Sequence, residues 1–275
     1  MEDKNSENIF SPENNGNAKV TTLEQLPDDP LAMPPPYWRS SGAVFHILDA
    51  LESLVSLLEE LLPIHERTEL KLGEYYQNNP NEDDDPDLEG FGEICDELWS
   101  LEHEIQLKVE VAILMSAVAL EDRLNMFCVF NLHKDIAESV EKLSPTEKLL
   151  IATAVAERPS IKGNVVYEGV KKLTQWRNAF AHGHCVDQPV KSLRHNHLIS
   201  PSTYPSVPDS LASLKELVGG YLRLADYLKS ISVNPYTAGG SIETEEIRNH
   251  LAEISRYTFN VSGNSSTIYI PFYKL

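Results

Sequence analysis

Ile105-Gln106-Leu107-Lys108-Val109-Glu110-Val111-Ala112-Ile113-Leu114-Met115-Ser116-Ala117-Val118-Ala119-Leu120-Glu121-Asp122-Arg123-Leu124-Asn125-Met126-Phe127 is the stretch that decides the fold. Ile105, Val109, Ile113, Leu120, Leu124 and Phe127 fall on one side of a helix with 3.6 residues per turn. No proline occurs from Asp87 to Leu143, so the spacing predicts one long helix from about 90 to 131. Upstream, Val44, Ile47, Leu48, Leu51, Leu54, Val55, Leu58 and Leu62 form a second stripe over 43–62. Pro63 is expected to break or kink it before a further helix to about Tyr76.

Downstream, Ser144-Pro145-Thr146-Glu147 reads as a capping box with proline at the first helical position. The helix it opens ends before Pro159. Further helices are expected over about 165–183, from Asp209 or Ser210 to about Ile231, and over 243–256. Residues 186–208, with Pro189, Pro201, Pro205 and Pro208, read as a long loop. The predicted class is all-α: a disordered polar arm (1–40), a helical domain (41–232) and a C-terminal appendage (233–275). In the appendage, Tyr257–Val261 and Thr267–Phe272 can pair as a short hairpin.

Trp176-Arg177-Asn178-Ala179-Phe180-Ala181-His182-Gly183 carries the chemistry. An arginine offers phosphate a planar fork of N–H donors, and a histidine moves protons near neutral pH. Asn178 and His182 are one turn apart on a single face. Leu173, Trp176 and Phe180 are expected to form the buried side, and Gly183 the C-cap. Arg177 and His182 lie about 140° apart around the axis, so they meet only if the arginine reaches round or if two copies share a site. On the long helix, Glu121 and Asn125 are also four residues apart. They read either as an exposed polar edge or as a face turned to the motif helix, with Glu121 holding Arg177.

At these residues the chain resembles the HEPN superfamily (higher eukaryotes and prokaryotes nucleotide-binding domains). The signature is Arg, usually a polar residue, then His after four to six positions near the end of a late helix. Ala119-Leu120-Glu121 with Leu124-Asn125 is similar to the family's earlier long helix, and Leu143-Ser144-Pro145-Thr146-Glu147-Lys148-Leu149 to its short middle helix. The resemblance covers roughly residues 90–232. It implies a HEPN-like bundle acting as a homodimeric, metal-independent endoribonuclease in bacterial defence or a toxin–antitoxin system. Arg177 and His182 would be catalytic, with Asn178, Glu121, Asn125 and His184 in support. An antitoxin or defence-system protein is an implied partner. Some HEPN toxins carry a tyrosine two positions after the histidine, and here that position is His184. The alternatives are a non-catalytic HEPN-like dimerisation or partner-binding module, with His182 merely capping a helix C-terminus, and a nucleotide-binding or metal-dependent enzyme.

The net charge of −19 argues against broad nucleic-acid affinity, but the charge is uneven. Residues 81–110 hold twelve acidic side chains and one lysine, net −11. Residues 158–200 hold seven basic side chains against Glu168 and Asp187, net +5. Lys171, Lys172, Lys191 and Arg194 of that segment are candidate RNA contacts. His182, His184, Cys185, Asp187, His195 and His197 are possible metal ligands. They lack a Cys-x-x-Cys or His-Glu-x-x-His companion, so neither metal nor cofactor is expected. Three widely spaced cysteines fit reduced thiols, with Cys128 in the core. The N-terminus has no signal-like apolar region, and no apolar run approaches the ~20 residues that span a bilayer. The expectation is a cytoplasmic protein without a membrane partner.

Overall fold

The computed structural model describes residues 41–78, 91–182, 207–232 and 241–257. They form seven helices: α1 (Ala43–Asn78), α2 (Phe91–Asn131), α3 (Lys134–Val140), α4 (Pro145–Val155), α5 (Val165–His182), α6 (Val207–Ile231) and α7 (Ser241–Ile254). No strand occurs among the described residues, and the chain is all-α there. The N-terminal arm, the acidic stretch 81–90, residues 186–206 of the expected loop 186–208, and the expected hairpin beyond Tyr257 lie outside them. Val207 and Pro208, expected in that loop, instead open α6, where proline in the first turn gives up no helical bond.

α2 is the spine. It packs against α1, α3, α4, α5 and α6, while α5 also meets α4 and α6. Its 41 residues follow from the uninterrupted apolar spacing. Ile105, Ile113, Leu120 and Leu124 are each at most 1% exposed, the face the spacing selects. They join Ile47, Leu51, Leu54 and Leu58 of α1, Leu149 of α4, Val170 and Leu173 of α5, and Leu217 and Tyr221 of α6 in one core. Ile247, Leu251 and Ile254 of α7 enter the same core, so the helix of the C-terminal segment packs on the bundle, chiefly against α1.

Three local findings depart from the periodicity. Helix α1 runs through Pro63; Ile64 and Leu61 on either side are buried, and this apolar packing outweighs the backbone bond that proline lacks. α3 arises in a polar stretch too short to show a period. It buries only Ala137 and Val140. Phe180 does not line the core: it is 38% exposed and stacks on Trp176 with ring centroids 5.4 Å apart. Phe180 shares an angular sector with Leu173 and Trp176, so its exposure comes from its place along the axis, in the last turn of α5. Ala179 is buried there.

The ends of α4 are well specified. Ser144 accepts from the Glu147 backbone N–H, and Glu147 accepts from that of Ser144, with Pro145 at the first position. The helix closes on Glu157 in left-handed conformation, φ 53°. There the Arg158 N–H donates to Thr153 O and the Glu157 N–H to Ala154 O, the two bonds that define a Schellman ending. Hydrogen bonds within residues 144–158 thereby set where α4 begins and ends.

Candidate functional site at the α2–α4–α5 junction

The junction is built around one carboxylate. Glu121 of α2 accepts from Lys148 Nζ through Oε1 at 2.9 Å and from Arg177 Nη1 through Oε2 at 2.7 Å. Three helices each contribute one member. Lys148 has no exposed surface, whereas the side chains of Glu121 and Arg177 are each 30% exposed. Burial alone would push the Glu121 carboxyl upward. The hydrogen bond and charge of Lys148, then those of Arg177, outweigh burial and hold it below the ordinary 4.5.

Cys128, two turns further along α2, lies on the same side of that helix. Burial pushes its thiol up to about 11, against the opposing influence of the Lys148 charge. It is therefore neutral at physiological pH, a core thiol as its apolar setting implies. Asn125, one turn after Glu121, is half-buried.

The other edge of Arg177 turns along α5. Its Nη2 and Nε donate to Asn178 Oδ1 at 3.2 and 3.4 Å, in an exposed position. The arginine thus reaches toward the helix face that Asn178 shares with position 182. A neutral amide oxygen at these distances is a weak partner, and an anion would make shorter, charge-assisted bonds to the same two N–H groups. The guanidinium fork is therefore occupied unequally, with one side committed to the Glu121 carboxylate and the other held only by the neutral Asn178 oxygen.

The structure therefore joins Arg177, Asn178 and Glu121. His182 is the last residue of α5, and its side chain lies outside the described atoms, as do His184, Lys191, Arg194 and the cluster Cys185, Asp187, His195 and His197. Lys171 is exposed and 3.9 Å from Glu168. Lys172 is committed to Glu216 of α6 at 3.0 Å, which lowers its worth as an RNA contact. Among the described residues no group of three His, Cys, Asp or Glu side chains is placed to hold a metal ion, and no helix is long and apolar enough to cross a membrane.

Lys148 is the member that the motif does not contain. Its signal was present all the same. Pro145, Leu149 and Ala152 form the buried stripe of α4, and Lys148 falls inside it. A lysine at an apolar-stripe position needs a carboxylate partner.

Comparison with protein-family models, with curated proteins and with solved structures finds no match for this chain.

Proposed function

We propose that this chain is a HEPN-like, metal-independent endoribonuclease that works as a homodimer. The observation that carries the reading is the unequally held fork of Arg177. Glu121 anchors one side at 2.7 Å, and the Nε–Nη2 edge faces Asn178, one turn before His182. In the proposed reaction, that edge takes the scissile phosphate in place of the amide oxygen and offsets charge in the transition state. The 2′-oxygen attacks phosphorus as its proton passes to one His182. The bond to the 5′-oxygen breaks as a second His182, from the other subunit, supplies a proton. The product ends are a 2′,3′-cyclic phosphate and a 5′-hydroxyl. Bacterial defence or a toxin–antitoxin pair is the proposed setting, with an antitoxin or defence protein as partner. The odd number of cysteines, three, supports a reducing cytoplasm.

A second reading has its own observation. Arg177 and Lys172, two cations expected to meet RNA, are both internally ion-paired. In that reading the clamp only fastens α5 to α2, and the bundle is a non-catalytic dimerisation or partner-binding module.

The deciding experiment is digestion of mixed RNA by the purified chain in EDTA. Cleavage to cyclic-phosphate ends is expected, with DNA resistant for want of the 2′-OH. His182→Ala should abolish it and His184→Ala should reduce it less. Arg177→Lys should slow it by about 10²-fold, the scale of one lost transition-state donor. Full activity in Arg177→Lys would end the catalytic assignment.

A further inference from the structure

Lys148 is the one charged side chain among the buried described residues. If its task were only to fill space in the core, an apolar side chain of the same length would do as well, because desolvating an ammonium opposes folding. What Lys148 does instead is occupy one oxygen of Glu121 at 2.9 Å. The carboxylate is then fixed from behind, and its second oxygen has one described partner, Arg177 Nη1. α4 itself is fixed at both ends by the capping box and the left-handed closure. Thr153 Oγ1, farther along α4, pairs at 3.1 Å with the Tyr227 hydroxyl of α6.

We propose that Lys148 is a positioning residue: it acts through Glu121 to hold the Arg177 guanidinium with its Nε–Nη2 edge turned outward for an RNA phosphate. The proposal rests on the reading of Arg177 as the phosphate-binding group. The relay runs Lys148–Glu121–Arg177 across α4, α2 and α5, with no member on a loop. Without Lys148, Glu121 is free to rotate and takes the guanidinium with it. A misplacement of about 1 Å is enough to slow chemistry by on the order of 10²-fold.

The test is a cycle of Lys148→Met, Glu121→Gln and the double variant. Four quantities are read in each: melting temperature, the NMR signal of the Arg177 Nε–H, kcat on RNA and KM on RNA. In Lys148→Met the Nε–H signal should broaden and kcat should fall at least tenfold, with KM changed less. In the Glu121→Gln background, Lys148→Met should add nothing to either loss, because the relay is already cut. The double variant carries no buried charge, so it keeps the comparison readable even if Lys148→Met alone does not fold. Equal losses from Lys148→Met in both backgrounds would overturn the relay. So would a Lys148→Met protein with an unchanged Arg177 signal and full kcat. A wild-type protein that cleaves no RNA would instead overturn the ribonuclease reading, while the NMR arm still decides whether Lys148 orders Arg177.

Discussion

The bundle contains the same charged triad twice. At the α2–α4–α5 junction, Glu121 lies between Lys148 and Arg177. At the α5–α6 junction, Glu216 lies between Lys172, 3.0 Å away, and Arg223, 3.7 Å away. Both place one carboxylate between two cations drawn from helices in contact. Their settings differ. The Lys148 side chain is 0% exposed, while those of Lys172, Glu216 and Arg223 are 26%, 43% and 33% exposed. In the first triad Glu121 and Arg177 are each 30% exposed, but no solvent reaches Lys148 to replace a lost carboxylate. In the second, solvent stands in, and the helices are held by something else. Apolar side chains such as Val170, Leu173, Leu217 and Tyr221 pack there, and the backbones approach closely: a Cβ on Gly220 would sit 3.2 Å from Gly169 O and 3.3 Å from Gly169 C.

The largest expected effect comes from removing the centre of the buried triad. Glu121→Ala strands Lys148 with no described partner and no water. Breaking one side of a buried pair costs on the order of 3–5 kcal/mol, and urea unfolding should show it. A loss under ~1 kcal/mol would mean that the ammonium finds water, and the contrast between the two triads would fail.

Next comes the close glycine contact at the other junction. In Gly220→Ala the new methyl meets backbone of α5, which cannot move without moving the helix. A loss of ~1–3 kcal/mol is expected from the overpacked contact. Gly219→Ala is the control, because its methyl would meet only Arg223 Nη1, at 3.3 Å. That is the end of a flexible side chain. The variant should be neutral or more stable, by up to ~1 kcal/mol from helix propensity. If both variants lose stability equally, backbone contact is not what sets this junction.

These two junctions also show what the sequence could and could not disclose. Long apolar periods specify helices whatever surrounds them, so α2 and the Ser144–Glu147 start of α4 were legible. The pairing of Glu121 with Arg177 was one of two readings open on the page, because helical spacing shows which residues share a face but not which helix that face meets. Lys148, as a charged residue, reads as surface by default, yet it stands in an apolar stripe. Gly169 and Gly220 lie on separate helices, and their contact depends on how α5 crosses α6. Phe180 was misjudged because its sector was right while its place along the axis was not.

The pH response of the buried triad is a finer test. Glu121 in the folded chain titrates below its ordinary 4.5. It is therefore a source of stability that is fully present above that value and lost as pH falls through the folded one. Glu147 moves the same way, held down by its hydrogen bonds with Ser144, while Glu102 and Glu110 move the opposite way, pushed up by burial, so the wild-type curve alone mixes the four. Subtracting Glu121→Gln isolates the one group. The difference in unfolding free energy should be constant near neutrality and shrink below about pH 4.5. A difference that grows on acidification would reverse the assigned direction and remove the charge argument for Lys148.

The smallest effect belongs to the exposed triad, and its smallness is the point. Glu216→Ala removes the shared carboxylate from Lys172 and Arg223, leaving two like charges on adjoining helices. Both cations keep solvent access, so hydration replaces most of what the carboxylate supplied. The expected change is below ~1 kcal/mol, the range of exposed pairs. The part that survives is long-range repulsion, which salt screens over about 3 Å in 1 M solution. Thermal melts of Glu216→Ala and the wild type should therefore converge as sodium chloride rises to that level. The Glu121→Ala deficit should persist in the same buffers, because the Lys148 ammonium that it strands has no exposed surface. A Glu216→Ala deficit as large and as salt-insensitive as that of Glu121→Ala would show that exposure does not separate the triads. Helix packing at Gly169 and Gly220 would then have to be sealed from water far more completely than a half-exposed glutamate allows.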